Sequence, residues 1–383
     1  MGKVDKNSMR LILHIGQSKT GTSALQSFLF FNKQALLNDG FLYPDYYLKE
    51  KPLLTREHNA FAETLASLPR YPNFTVEEYI EQFHKQIKYH KPHTVILSAE
   101  SFFGAPQIWR LDDTNDFYSA YEKKLKALKA FTDQFDTHLI GYFRSPEDWM
   151  EVSVSHLIRY YGLFGKHIDQ SDENIVSLLS PHVDLSRLLE LWGDIIQPQK
   201  MSVFPYEKDV LKDSDIINDF CGKAGLDLSK LSKEKASSKR VHASLDRRYV
   251  ELKKMLNTKT RKKTEERVII ECLDILNSQL PEIERYRLPV DLKKKIQVDF
   301  KPYHIWLQEN YSKGGKPFFS SKVNVDERDY QPISSEDIKQ AEIDFRKLYS
   351  SYPIKWLYFQ VSCKGFLRNR LPFLYAVLKN LFQ

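Results

Sequence analysis

The sequence predicts an α/β fold in which a central parallel sheet is flanked by helices on both faces. Apolar runs of strand length, rich in β-branched residues, occur at residues 9–16, 93–101, 137–144 and 200–207. Between them lie longer segments with the apolar spacing of amphipathic helices and charged outer faces. Strands that alternate with helices are typical of parallel sheets, because each parallel connection crosses a face of the sheet. From about residue 208 the pattern is helical, so we expect a helical C-terminal part.

The composition indicates a globular protein with no export signal. Among its 383 residues 42% are hydrophobic, which is enough for a packed core. The net charge of +7 suits anionic ligands without requiring nucleic acid, so no nucleic-acid partner is expected. Cys221, Cys272 and Cys363 lack metal-ligand spacing and are expected to be reduced, and no metal site is predicted. The polar residues 1–8 contain no apolar signal core, so the expected location is the cytoplasm.

We expect four segments along the chain. Residues 1–8 are predicted to be a disordered N-terminus, 9–312 the main domain, 313–335 a loop or linker, and 336–383 a helical C-terminal extension. The end of this extension, KGFLRNRLPFLYAVLKNLFQ, is both basic and apolar. Such a tail could contact the inner face of the membrane peripherally, or it could pack against the core. Pro372 interrupts any single helix through it.

The segment GQSKTGTS, residues 16–23, has the form of a phosphate-binding loop. Its glycines, Gly16 and Gly21, follow the first predicted strand and precede a helix expected to start near Thr22. In open α/β sheets ligands bind beyond the carboxyl ends of the strands, and a helix N-terminus offers unpaired N–H groups to an anion. An anion site is therefore expected here. Lys19 precedes the second glycine, whereas the lysine of an ATP-binding Walker A loop follows it.

The stretch HIGQSKTGTSALQSFL, residues 14–29, resembles the first signature of the sulfotransferase superfamily, and most of all its bacterial carbohydrate-sulfotransferase-like branch. The resemblance implies a three-layer, P-loop-kinase-like fold and the donor 3′-phosphoadenosine 5′-phosphosulfate (PAPS). Ser18 stands where the family usually has proline, and Ser23 where it has a second threonine. The resemblance implies that the 5′-phosphosulfate is bound by the loop residues Gln17, Ser18, Lys19, Thr20, Gly21, Thr22 and Ser23.

A second signature of this superfamily is an arginine at the end of a later strand, with a serine eight residues on, and both bind the 3′-phosphate of the donor. LIGYFRSPEDWMEVSVSH supplies Arg144 at a predicted strand end, but the eighth residue after it is Val152, and Ser153 is the next. Either Ser153 takes the serine's place through a small shift, or that contact is missing. In the later segment SSKRVHASL, Lys239 or Arg240 could reach the 3′-phosphate, or the segment is a solvated basic loop.

The resemblance also implies a division of chemical roles. Lys19 would stabilise the negative charge on the oxygen that leaves sulfur, with no metal required. The acceptor hydroxyl needs a general base, which in this superfamily is a histidine or a glutamate. The two candidates are His58, in the polar run TREHNAFAETL, and Glu100, which ends the second predicted strand. His58 could instead be a surface or capping residue, and Glu100 could instead bind acceptor hydroxyls.

These inferences predict a sulfotransferase that moves the sulfuryl group to a hydroxyl of a carbohydrate, such as a cell-surface polysaccharide or a glycolipid. Two alternatives stay open. A P-loop kinase or NTPase would require ATP and magnesium, and the position of Lys19 argues against it. A non-catalytic glycan- or nucleotide-binding protein could retain the fold. Val152 at the expected serine position is compatible with this alternative, because a contact with the 3′-phosphate would be missing. The sequence does not indicate an oligomeric state.

Overall fold

The computed structural model describes residues 9–48, 51–53, 55–69, 74–104, 116–163, 170–233, 244–259, 261–312, 316–320, 333–351 and 359. The predicted disordered N-terminus, most of the predicted linker and most of the C-terminal tail lie outside the described residues. Within the described part of the chain, no helix combines the length and apolarity needed to cross a membrane.

The strands are β1 Arg10–His14, β2 Phe41–Leu42, β3 Tyr46–Leu48, β4 Lys51–Leu53, β5 Thr94–Ser98, β6 Asp136–Phe143 and β7 Lys200–Pro205. Five of them form a parallel sheet in the order β2-β5-β1-β6-β7, and β3 pairs with β4 in an antiparallel hairpin. In the central strand β1, Ile12 pairs with Ile96 of β5 and His138 of β6. The four strands predicted from the sequence are confirmed as β1, β5, β6 and β7. The sequence did not predict β2, because a strand of two residues is too short to form a recognisable apolar run.

The helices of the described residues are α1 Thr22–Phe31, α2 Lys33–Asn38, α3 Asn59–Leu65, α4 Val76–His90, α5 Glu100–Gly104, α6 Asp116–Thr132, α7 Pro146–Tyr160, α8 Asp172–Leu179, α9 Leu185–Leu191, α10 Ile216–Ala224, α11 Arg247–Leu256, α12 Lys263–Ser278, α13 Val290–Asp299, α14 Lys301–Tyr311 and α15 Ser335–Tyr349. Several begin at side-chain caps. Thr75 and Glu78 form a capping box at α4, and Asp215 accepts from the first N–H groups of α10. The helices after β7 confirm the predicted helical C-terminal part.

Successive residues of a strand enter different hydrophobic cores, which makes the sheet the middle of three layers. Leu11 and Leu13 of β1 pack with residues of α3, α4, α5, α6 and α9 on one face. Ile12 points to the other face and packs with residues of α1, α2 and α10. The prediction that helices cover both faces of a parallel sheet is therefore confirmed.

A third hydrophobic core lies among helices α7, α8, α11, α12, α13 and α15. Met150 and Val154 of α7 enter it, so α7 joins the end of β6 to this helical core. α15, from the predicted C-terminal extension, contributes Ala341 and Phe345 to the same core. The core also contains an ion pair between Lys253 and Glu266 at 2.9 Å, with both side chains buried.

Candidate functional site

The glycine loop lies at the carboxyl end of β1, in the middle of the sheet, as predicted. Its backbone is anchored where the Gln17 N–H donates to the Tyr142 carbonyl of β6 at 3.1 Å. The buried Thr20 hydroxyl donates to the Gln17 carbonyl at 2.6 Å, so Thr20 closes the loop on itself. Gly21 has a φ of 74° and precedes α1, and a Cβ there would lie 2.8 Å from the Tyr206 hydroxyl oxygen. Only glycine meets both constraints.

Lys19 has a φ of 68°, in the left-handed region that lysine rarely adopts. Such backbone strain persists only where surrounding contacts enforce it, and it occurs often at ligand sites. Burial lowers the pKa of Lys19, whereas the negative charge of Glu100 opposes that change. The Lys19 side chain is therefore partly buried and lies within the electrostatic influence of a carboxylate.

Arg144 joins the loop to the end of β6. Its Nε donates to the Lys19 carbonyl at 2.8 Å, and its backbone N–H donates to Oε1 of Gln17 at 3.1 Å. The guanidinium lies 5.0 Å from the ring centre of Tyr206. Gln17 also donates from Nε2 to the His182 carbonyl at 3.4 Å. The sequence predicts that both residues bind the donor, and the structure shows that they hold the loop in position.

A second arginine lies near Arg144, and sequence reasoning did not identify it. Burial is the main cause that lowers the pKa of Arg144, and the charge of Arg285 lowers it further. Arg285 is exposed and lies in the segment that bridges to Asp246 at the start of α11. No local motif marks Arg285, because only the tertiary fold brings it to the end of β6.

Glu100 is the first residue of α5, directly beyond the carboxyl end of β5. Its Oε2 accepts a hydrogen bond at 3.0 Å from the hydroxyl of Thr22, which is the first residue of α1. The carboxylate is thus held at the start of α1 while its charge acts on Lys19. The structure thus brings Glu100, which the sequence proposed as a candidate base at a strand end, together with Lys19 and Thr22 of the glycine loop.

His58 lies outside this arrangement. It is 1% exposed, its Nδ1 accepts the Ser98 N–H at 3.0 Å, and its Nε2 donates to the Pro44 carbonyl at 3.1 Å. Burial lowers the pKa of His58 to about 4. Both ring nitrogens are engaged, so neither is available to an acceptor hydroxyl, and the geometry does not support His58 as the general base.

The segment around His58 instead holds the turn that presents Glu100. The backbone N–H of His58 donates to the Ser98 carbonyl at 2.9 Å, in addition to the ring contact with the Ser98 N–H. Asn59 Oδ1 accepts the N–H of Ser101 at 3.0 Å. The start of α3 therefore fixes the backbone on both sides of Glu100.

The remaining predicted residues differ in their settings. Ser18 is half-buried and Ser23 is exposed, so the Ser23 hydroxyl is accessible at the start of α1. Ser153 is buried on α7, and helical spacing puts it on the face of Trp149 and Leu157, which enter the helical core. Lys239 and Arg240 lie outside the described residues.

Helical spacing places Val152, not Ser153, one turn after Asp148, whose charge acts on Arg144. A shift that substitutes Ser153 for the expected serine is thus not supported by the helical spacing.

Among the described residues, no group of three or more His, Cys, Asp or Glu side chains is arranged to hold a metal ion. Searches against protein-family models, curated proteins and solved structures found no match to this chain.

Proposed function

We propose that this chain is a sulfotransferase that transfers the sulfuryl group of PAPS to a hydroxyl of a carbohydrate acceptor in the cytoplasm. One observation carries the proposal. Lys19, Arg144 and Glu100 converge on a glycine loop at the carboxyl end of the central strand. Two cations and a helix N-terminus suit a donor with several phosphate and sulfate charges, and a neighbouring carboxylate suits an acceptor hydroxyl.

The details of the loop support PAPS over ATP. The residue directly after Gly21 is Thr22, where a Walker A loop has its lysine, and its hydroxyl donates to Glu100. In this loop the positive charge comes instead from Lys19, which lies two residues before Gly21. The central position of β1 and the loop directly after it are also what we would expect of a P-loop-kinase-like fold, which we propose here.

We propose Glu100 as the general base. The Glu100 carboxylate accepts the proton of the acceptor hydroxyl, and the hydroxyl oxygen forms a bond to sulfur. The bond between sulfur and the bridging oxygen breaks, and adenosine 3′,5′-bisphosphate leaves with the electron pair. Lys19 stabilises the charge that develops on the leaving oxygen. Arg144, with Arg285 near it, binds the 3′-phosphate, where an arginine fork matches phosphate geometry.

Thermal-shift titrations test the donor site. Adenosine 3′,5′-bisphosphate at 100 times its dissociation constant should raise the free energy of unfolding by about 2.7 kcal/mol. ATP with magnesium at the same concentration should give a smaller shift. A larger shift with ATP and magnesium would favour a kinase or NTPase, and no shift with either nucleotide would contradict the proposal.

Paired variants test the chemistry, with transfer of radiolabelled sulfate to a panel of polysaccharides and glycolipids as the readout. Lys19→Ala and Glu100→Gln should each lower the transfer rate by about 10²-fold or more. Lys126→Ala and Glu122→Gln alter an exposed ion pair on α6 and serve as matched controls. Wild-type rates in a folded Lys19→Ala or Glu100→Gln protein would contradict the assigned role of that residue.

A further inference from the structure

A cavity lies beside the start of α7. Its volume is about 200 Å³, and it is partly open to solvent. A cavity of about 150 Å³ admits a benzene molecule, so this one has room for a single six-membered ring. It is lined by Glu147, Gln297, His304, Gln308, Pro317, Phe318, Phe319 and Ser320.

The lining includes polar atoms that lack partners. Glu147 is 2% exposed, and its Oε2 has no hydrogen-bond partner among the described residues. The Nε2 of His304 on α14 is also without a partner there. Buried polar atoms are seldom left unsatisfied, because losing water without gaining a hydrogen bond is unfavourable. These two atoms can therefore hydrogen-bond with polar groups of a ligand that enters the cavity.

The acidic groups around the cavity disfavour anions. Burial raises the pKa of Glu147, which lines the cavity, and Glu207 lies next to it, where its carboxylate accepts the Ser320 N–H at 2.9 Å. Burial lowers the pKa of His304, so its ring is neutral near pH 7. The amides of Gln297 and Gln308 add donors and acceptors without charge. A sulfated or phosphorylated group would meet repulsion here, whereas hydroxyl groups can donate to Glu147.

The apolar part of the lining is aromatic. Phe318 and Phe319 contact each other edge-to-face, with ring centres 4.8 Å apart, and His304 contacts Phe319 at 5.3 Å. A cavity that combines such rings with a few convergent polar groups is typical of small-molecule sites.

We propose that this cavity binds one neutral, polyhydroxylated six-membered ring, that is, an unsulfated hexose unit. A hexose fills the volume, offers hydroxyl donors to Glu147 and acceptors to the amides, and carries no negative charge. If the chain transfers sulfate to a carbohydrate, the cavity is a subsite for an unmodified unit of the acceptor, and this last step rests on the proposed function. The binding claim itself does not, because it needs no donor and no transfer.

Saturation-transfer NMR on the full chain tests the proposal, with the methyl glycosides of glucose, galactose and mannose and with methyl glucuronide as the charged counterpart. A single ring offers few atoms, so we expect millimolar binding of at least one neutral glycoside and weaker binding of the glucuronide. Glu147→Gln should raise the dissociation constant of the neutral glycoside about tenfold. The same change should reduce the difference in dissociation constant between the neutral glycosides and the glucuronide.

Glu309→Gln makes the same charge change at an exposed position of α14, outside the cavity lining, and should leave binding unchanged. His304→Phe tests the cavity independently, should Glu147→Gln fail to fold, and it should also weaken binding. Absence of binding by every neutral glycoside, preference for the glucuronide, or equal binding in wild type and both cavity variants would overturn the proposal. Bisphosphate binding is measured separately, so failure of the donor site and failure of the cavity are distinguishable.

Discussion

His58 and Glu100 differ most in what surrounds their side chains. Each was a candidate base from the sequence, one in a polar run and one at a strand end. The fold buries His58 and engages both of its ring nitrogens with backbone groups, whereas the carboxylate of Glu100 is held at the start of α1. A titratable group can act on a substrate only where the substrate can reach it, and this separates a positioning residue from a candidate base.

Replacing His58 distinguishes these roles. His58→Gln should lower the free energy of unfolding by about 1–3 kcal/mol, because the Ser98 N–H and the Pro44 carbonyl would lose a buried partner. The loss of transfer rate should be smaller than in Glu100→Gln, and the pH–rate profile should keep its shape. Urea unfolding and pH–rate measurements check both points. Loss of the acidic limb of the profile in a folded His58→Gln protein would identify His58 as the base instead.

At the scale of elements, the glycine loop is fixed by the neighbouring strand as much as by its own sequence. Arg144 and Gln17 connect β6 with the loop, and Tyr206 at the end of β7 approaches both Gly21 and Arg144. The loop therefore depends on the register of three strands. A change at the end of β6 should alter donor binding even though the loop sequence is unchanged.

Arg144→Lys tests this dependence. A lysine cannot donate to the Lys19 carbonyl and also place a flat cation over the Tyr206 ring. The dissociation constant of adenosine 3′,5′-bisphosphate, measured by calorimetry, should rise about tenfold or more. Arg10→Lys, at the exposed and opposite end of β1, is the matched control and should bind as the wild type does. Unchanged affinity in Arg144→Lys would remove Arg144 from the donor site.

The helical core has its own sensitive contact, where α7 ends. A Cβ on Gly162 would clash with the carboxylate of Glu266, which is buried and paired with Lys253. Gly162→Ala should separate this pair and lower the free energy of unfolding by about 3–5 kcal/mol, since each charge would stay buried without its partner.

Gly222→Ala is the control for that change. Gly222 lies within α10, and a Cβ there meets no atom within 4 Å, so alanine should stabilise the helix by about 0.5–1 kcal/mol. Urea unfolding followed by circular dichroism compares the two variants. Equal stability of Gly162→Ala and wild type would show that Glu266 can move without cost.

For the whole molecule, buried histidines should make stability depend on pH. Burial lowers the pKa of His14 and His182 to about 3 and that of His58 to about 4, against an ordinary value of 6.5. Between pH 6.5 and 4 the unfolded chain binds more protons than the folded one, so acidification favours unfolding. Each such histidine contributes a slope of up to about 1.4 kcal/mol per pH unit.

Urea unfolding at pH 7.5, 5.5 and 4.5 measures this effect. The free energy of unfolding should fall steadily below pH 6.5. His14→Asn removes one titrating ring while offering polar atoms to the Ser98 hydroxyl, which lies 2.8 Å from Nδ1 of His14. The variant should therefore show a shallower slope than the wild type, whatever its absolute stability. An identical slope would mean that His14 gains its proton without unfolding.

Much of the fold could be predicted because the signals are local. The apolar runs of β1, β5, β6 and β7 are longer than the apolar runs of ordinary loops. The glycines before α1 mark the start of that helix. Arg285 and the burial of His58 could not be predicted in this way. Arg285 reaches the site only through the path of the helical segment, and TREHN reads as a solvated run until the fold covers it. The cavity atoms without partners, Oε2 of Glu147 and Nε2 of His304, come together equally non-locally.

The position of α7 limits how this chain could be cut into fragments or recombined with other chains. Its N-terminal end follows Arg144 at the sheet, and its apolar side, including Met150 and Val154, belongs to the helical core. A fragment ending after β7 would keep the loop yet leave that side of α7 facing water, which favours aggregation. Recombination that exchanged the sheet or the helical part alone would meet the same mismatch. The two parts are therefore expected to have been kept together as one evolutionary unit.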